Sequence, residues 1–270
     1  MVKEGKIKLS NTEIDYISFG RGKRPLIMIQ GLNTRGIKGA GASLSLMYHL
    51  FSKEYKVYFF DRRPDLWEGI TSRDLAADIA EAMDVLEIKG ADVLGVSQGG
   101  IIAQYLAIDR PDLVNKMVLA FTLSQNNDTL ISTIKGWISM TEAKDYKSLV
   151  RDMAEKMYSD KYLKMYRPFL PLLTMLQKPE NDERFITLAM ACLNCNTYSE
   201  LDKIHCPVLV IGAENDKIVT LDASREIAER LGCELFIYEG LGHAAYEEAK
   251  DFNRRVYSFL ISGAKNELHN

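Results

Sequence analysis

The chain has 270 residues, 47 % of them hydrophobic, and a formal net charge of −3. That is enough apolar material for one large domain, or for one domain with an insertion. A near-neutral balance without blocks of like charge argues against nucleic acid or an anionic membrane as partner, and no apolar run is long enough to span a membrane.

The first residues, Met-Val-Lys-Glu-Gly-Lys-Ile-Lys, contain no apolar stretch of signal-peptide type, so none is expected. Lys6–Leu9 and Ile14–Phe19 alternate as an N-terminal β-hairpin would, turning at Asn11-Thr12. Leu26-Ile-Met-Ile29 is a short continuous apolar run, the pattern of a buried parallel strand. It leads into Gln30-Gly31-Leu32-Asn33 and a Gly-rich segment reaching Gly41. Ser43–Phe51 reads as a helix and Tyr55–Phe60 as the next strand, ending at Asp61. Asp61-Arg-Arg-Pro64 reads as a salt-bridged surface loop, with binding of an acidic substrate by Arg62 or Arg63 as the other reading. Thr71-Ser-Arg-Asp74 predicts a capped helix start, and Leu75, Ile79, Met83 and Leu86 then give one apolar face until Gly90 stops it.

Ala91-Asp-Val-Leu-Gly-Val-Ser-Gln-Gly-Gly100 follows, and the rest of the chain is organised around it. A buried strand, the pattern G-x-S-x-G and a helical run from Ile101 come in that order, as in a nucleophile elbow. A serine at the tip of so sharp a turn takes a strained backbone with positive φ. The residues two before and two after it come close, so Gly95 and Gly99 avoid a clash, and Gly100 lets the helix pack on the sheet. The pattern alone is weak, since roughly one chain in ten of this length carries it by chance at ordinary Gly and Ser frequencies. The strand before it and the helix after it remove most chance matches.

Lys116–Phe121 is another strand, and repeated β–α–β units predict a parallel sheet with right-handed crossovers. The rhythm breaks near Asn126. Up to Leu201 only helical segments are expected: Leu130–Met140, Thr141–Tyr158, Lys161–Tyr166 and Asp182–Leu193. Six methionines and several aromatics fall there, among them Met153, Met157 and Trp137. They suit either helix packing or an adaptable apolar pocket. Cys192-Leu-Asn-Cys195 has the C-x-x-C spacing but no second pair at zinc spacing, so these cysteines are expected to pack. All four cysteines, with Cys206 and Cys233, are expected to be reduced thiols in a cytoplasmic protein. Strands resume with Pro207–Ile211 and Cys233–Tyr238, separated by a helix over Leu221–Leu231. Asp251–Ser262 closes the chain as a helix with a frayed end.

A serine hydroxyl needs a base, a group that orients the base, and donors for an oxyanion. The loop after the Pro207 strand carries Glu214-Asn-Asp216, and the loop after the last strand carries Gly242-His243. Both lie beyond the carboxyl ends of strands, the edge where Ser97 sits. Glu214 is the rival to Asp216, whose other reading is a helix cap. His49, His205 and His269 read as ordinary surface or core histidines.

The order Ser, Asp, His and the elbow resemble an α/β-hydrolase with a helical cap, over nearly the whole chain. The resemblance implies an α/β fold with a mostly parallel sheet of about eight strands flanked by helices. Residues 1–125 and 202–270 would form the core domain, and 126–201 an inserted all-helical cap. It implies Ser97 as nucleophile, His243 as general base and acid, and Asp216 as the carboxylate that orients it. The backbone N–H groups of Gln98 and Leu32 would form the oxyanion hole. Family members usually have His-Gly where this chain has Gln30-Gly31, and that histidine supports the loop. The implied reaction is acyl transfer to water from a small, apolar carboxylic ester, with thioester or C–C cleavage next and no metal or organic cofactor. An acyltransferase, or a small-molecule sensor with little turnover, is the alternative, since one fold and triad host all of these.

Overall fold

The apolar runs become strands because burial on both faces suits a parallel sheet and leaves no room for alternation. In the computed structural model, which describes residues 1–262, the strands are β1 (Lys3–Lys8), β2 (Glu13–Phe19), β3 (Arg24–Ile29), β4 (Tyr55–Phe60), β5 (Ala91–Val96), β6 (Val114–Ala120), β7 (Val208–Ala213) and β8 (Glu234–Tyr238). They form one eight-stranded sheet in the order β1-β2-β4-β3-β5-β6-β7-β8. β1 and β2 pair antiparallel, as does β2 with β4, and every pairing from β4 to β8 is parallel. β5 lies in the middle and is buried at each residue. The expected hairpin, parallel sheet and strand count are therefore present. The fraying expected at the chain end, and His269, lie outside the described residues.

The helices are α1 (Gly41–Met47), α2 (Ser72–Val85), α3 (Gln98–Asp109), α4 (Asp128–Glu142), α5 (Tyr146–Met157), α6 (Asp160–Tyr166), α7 (Leu170–Gln177), α8 (Asp182–Cys192), α9 (Leu221–Leu231), α10 (Ala245–Glu248) and α11 (Phe252–Ile261). Side chains alternate across each strand. Ile27, Val93, Leu119 and Val210 face one core together with α2, α3 and α9. Leu26, Leu94, Val118 and Ile211 face the other, with α1 and α11. The apolar residues of α4, α5 and α8, such as Ile134, Leu149 and Leu188, continue the first core.

Several boundaries differ from the sequence reading for local reasons. α2 begins as expected: Thr71 accepts from the Asp74 N–H, and Asp74 accepts from the Thr71 N–H, a reciprocal cap worth about 1 kcal/mol. It stops at Val85 rather than at Gly90, because Glu87 already takes a left-handed φ of 55°. The helix expected over Ser43–Phe51 is α1 followed by a 3-10 turn at His49–Lys53. Thr141 belongs to α4, and the chain turns through Lys144 at φ 56° before α5.

Between β6 and β7 the chain leaves the sheet for α4 to α8. Its two ends meet at a bridge between Gln125 and Asn196, and the Thr197 N–H donates to the Ser124 carbonyl at 2.7 Å. Among the described residues no strand of the sheet lies in this excursion.

Candidate active site

β5 ends at Val96 and α3 begins at Gln98, so Ser97 alone makes the turn. Its φ is 55° and ψ −122°, the positive-φ strain expected of a residue at such a tip. The glycines are required by space. A Cβ on Gly95 would stand 2.5 Å from the Gly99 carbonyl oxygen and 2.7 Å from the Gly100 Cα. A Cβ on Gly99 would stand 2.0 Å from the Ile29 carbonyl oxygen, so this glycine yields to the end of β3 as well as to the elbow. Gly100 yields to Thr122, just past β6, whose hydroxyl donates to the Ser97 carbonyl at 2.7 Å.

β7 and β8 carry the partners. Asp216 lies in the loop after β7, and one of its oxygens accepts the N–H groups of Ile218 and Val219 at 2.8 and 3.0 Å. The other oxygen is 2.8 Å from Nδ1 of His243, in the loop after β8. Nε2 of the same ring is 3.0 Å from the Ser97 hydroxyl. Burial alone would raise the pKa of Asp216, but His243 and the two backbone N–H groups outweigh it and hold the carboxyl below the usual carboxylate range. An ionised carboxylate only accepts, so Nδ1 carries a proton, and in the neutral ring Nε2 then presents its lone pair to Ser97. The ring edge of His243 packs on Phe121 at 6.3 Å between centroids. The Ala244 N–H donates to the Met157 carbonyl at 2.8 Å, so the end of α5 holds the histidine loop.

Asp216 rather than Glu214 meets His243. The Glu214 side chain accepts from the Gly240 N–H at 2.8 Å and so ties the two loops together. His49 and His205 are exposed, away from this cluster.

Leu32 and Gln98 both line a cavity of about 50 Å³ with Ser97 and His243. The N–H of Gln98 belongs to the first turn of α3, which has no carbonyl of its own helix to meet. The Gln98 side chain is buried and donates to the Leu188 carbonyl of α8 at 2.7 Å. The cavity wall is apolar, from Leu32, Ile101, Ile134, Trp137, Met153 and Met157. Of the six methionines between Asn126 and Leu201, these two reach the cavity, while Met165, Met175 and Met190 are exposed. The Trp137 N–H is satisfied by Asp152 at 2.8 Å, which leaves the indole as wall. Cys192 also lines the cavity and Cys195 packs nearby; burial pushes each thiol up to about 12.

The Asp61–Pro64 segment is not the surface loop its composition suggests. Arg62 and Arg63 are 6 % and 3 % exposed. Arg63 is held by Asn11, Asp65 and Asp78, with its guanidinium 4.8 Å from the Trp67 ring centre. Arg62 turns inward to the Gln30 carbonyl, and burial lowers its pKa to about 10, which leaves it charged at neutral pH. Neither arginine lines the cavity beside Ser97. Sequence reasoning missed this pair because adjacent arginines carry no periodicity and read as solvated.

A family model described as the alpha/beta hydrolase fold matches residues 24–250. The chain belongs to the α/β-hydrolase fold family. Among curated relatives, a 2-hydroxy-6-oxononadienedioate/2-hydroxy-6-oxononatrienedioate hydrolase of Paraburkholderia xenovorans (strain LB400) is 26 % identical, over 96 % of this chain and 93 % of the relative. A 3-oxoadipate enol-lactonase of Acinetobacter baylyi (strain ATCC 33305 / BD413 / ADP1) is 22 % identical, over 92 % of each chain. Among solved structures, MGS-M2, an alpha/beta hydrolase enzyme from a Medee basin deep-sea metagenome library, superposes with a TM-score of 0.86 at 20 % identity, covering 95 % of this chain and 97 % of that one. Family and relatives together make this α/β-hydrolase an enzyme of the hydrolase class. Among the described residues, no helix is long and apolar enough to cross a membrane.

Proposed function

We propose that the chain is a serine hydrolase that cleaves a small, apolar carboxylic ester through an acyl-enzyme. The observation that carries this reading is the continuous line from Asp216 through His243 to Ser97, with links of 2.8 and 3.0 Å. In this reading Ser97 attacks the ester carbonyl carbon while its proton passes to His243 Nε2. The oxyanion is received by the N–H groups of Gln98 and Leu32. His243 then gives the proton to the leaving alkoxide as the C–O bond breaks. Water, deprotonated by His243, attacks the acyl-enzyme; the bond to Ser97 then breaks, His243 returns the proton to the serine oxygen, and the acid is released. Asp216 orients the ring and stabilises the imidazolium without taking the proton. No step calls for a metal or cofactor.

Residues 1–125 and 202–270 serve as the catalytic core in this account, and 126–201 as a cap that excludes water from Ser97. The carbonyl of Met157 and the bond from Gln98 to Leu188 support that role, since each joins a cap helix to the elbow or the histidine loop. Among the relatives, two are named as enol-lactonases, and a lactone is an internal ester. The cytoplasm is the proposed location, with its thiols free.

Steady-state turnover of short-chain nitrophenyl esters tests the reading. Continuous cycling supports a hydrolase. Release of one equivalent followed by a stall would point to a sensor, and faster turnover with an added alcohol to an acyltransferase. The cavity also predicts an acyl-length profile. Each buried methylene is worth about 0.8 kcal/mol, nearly fourfold in kcat/KM. Esters from acetyl to decanoyl should gain while the apolar cavity of about 50 Å³ fills, peak at a short chain, and then fall. A monotonic decline from acetyl, or a clear preference for anionic acyl groups, would remove the apolar-pocket reading.

A further inference from the structure

Leu32 sits on the segment 30–41, which passes directly over the elbow. A Cβ on Gly31 would lie 3.1 Å from the Ser97 Cβ, so this close approach favours glycine. Glycine also leaves the flanking peptides freer to turn than any other residue would. A turned peptide would aim a carbonyl oxygen, rather than the Leu32 N–H, at the place where negative charge develops. That freedom is reduced when the neighbouring peptide, on the N-terminal side of Gly31, is held.

The residue in contact with it is Arg62. Its Nη2 donates to the Gln30 carbonyl oxygen at 2.5 Å. The guanidinium is buried, and among the described residues that oxygen is its sole hydrogen-bond partner. A buried cation that donates to a carbonyl fixes the direction of that carbonyl, because charge-assisted bonds are short and strong. The rest of the segment is held from the same place. Asp61 accepts the Ile37 N–H at 3.0 Å. Arg184 of α8 donates to Asp61 at 2.9 Å and to the carbonyls of Arg63 and Arg62 at 2.9 and 3.3 Å. The Glu180 N–H donates to the Thr34 carbonyl at 3.0 Å.

We propose that Arg62 is a positioning residue for oxyanion binding: by fixing the Gln30 carbonyl it holds the chain on the N-terminal side of Gly31 and so narrows the directions open to the Gly31–Leu32 peptide beside Ser97. Arg184 braces the segment that carries Arg62 against the helical excursion. The proposal rests on the reading of Ser97 as nucleophile and Leu32 as oxyanion donor. The loop is thus supported through the Gln30 backbone by Arg62, while the Gln30 side chain accepts from Asn33 at 3.4 Å within the same loop.

The test compares Arg62→Met, Arg62→Lys and Arg184→Gln with the unaltered protein on one short-chain nitrophenyl ester. Removing a whole oxyanion donor costs about 10²–10³ in kcat, so loosening one in Arg62→Met should cost at least about 10-fold, with KM within about twofold. Arg62→Lys should recover part of the loss. A purely structural role would not divide kcat from KM, nor bound states from one another. The second readout is therefore the affinity for a short alkylboronic acid. It adds to the Ser97 oxygen as an anionic tetrahedral boronate, with the serine proton passing to His243. That affinity should fall in Arg62→Met in step with kcat, while affinity for the product carboxylic acid holds. If Arg62→Met does not fold, Arg184→Gln, whose side chain is partly exposed, decides: a fall of at least about threefold in kcat at constant KM supports the proposal. Unchanged kcat and boronate affinity in the folded variant overturns it. If Ser97→Ala keeps turnover in the same assay, the nucleophile reading fails first; if Ser97→Ala is inactive and the arginine variants are not impaired, the positioning role alone is wrong.

Discussion

Ser97→Ala is expected to abolish turnover of short nitrophenyl esters and leave the fold intact. In a serine protease, loss of the nucleophile costs about 10⁶ in kcat. A loss of at least about 10⁴ is expected here, allowing for a different scaffold. The fold should hold because the hydroxyl makes one side-chain hydrogen bond, to His243. Alanine also keeps the backbone contacts that secure the turn: the Ser97 N–H to the Ala120 carbonyl at 2.9 Å, and the Thr122 hydroxyl to the Ser97 carbonyl. The strain of φ 55° is present in both forms. Circular dichroism and melting temperature should match the unaltered protein, while the rate of ester cleavage falls to background. Turnover above background in Ser97→Ala would mean that another group attacks the ester.

Asp216→Asn is the second large effect. The amide keeps the shape of the side chain and can still accept from the N–H groups of Ile218 and Val219. Its NH₂ can also donate to the histidine, which then takes the tautomer with the proton facing Ser97. In a serine protease the same exchange costs about 10⁴ in kcat; at least about 10² is expected here. Glu214→Gln, which touches the Gly240 N–H and not the histidine, should cost far less. The reverse ranking would show the acid to be misassigned. The pH consequence follows from the depressed pKa of Asp216. A group lowered in the folded state contributes stability above its unfolded value, here the ordinary 3.8, and loses it as pH falls through the folded value. Asp216 therefore stays ionised through the neutral range and adds no inflection to the rate profile above about pH 4. Such an inflection that vanishes in Asp216→Asn would contradict this.

The elbow was legible because its sterics admit few residue types: a Cβ on Gly95 or Gly99 meets backbone that cannot move aside. The sheet was legible because β5 and β7 are buried at each residue and so read as unbroken apolar runs. The Asp loop was legible from its place after β7, and the His loop from its place after β8, a strand that is only half-buried along most of its length. What escaped notice depends on tertiary partners. Arg62 and Arg63 read as solvated because sequence does not show the Gln30 carbonyl, Asn11 or Asp78 waiting for them. α7 went unseen, since Pro171 and the surrounding apolar residues carry no polar face to set a period. Trp137 could not be told from the other aromatics of its segment, because a cavity wall and a helix core ask for the same side chain.

The central claim is that Ser97 is the nucleophile, and the most direct measurement is intact-protein mass followed by peptide mapping after treatment with a fluorophosphonate. The reagent's phosphorus forms a bond to the attacking oxygen as fluoride leaves. One adduct per chain is expected, on the peptide that contains Ser97, and none in Ser97→Ala. An adduct on a different serine, or labelling that survives Ser97→Ala, would contradict it.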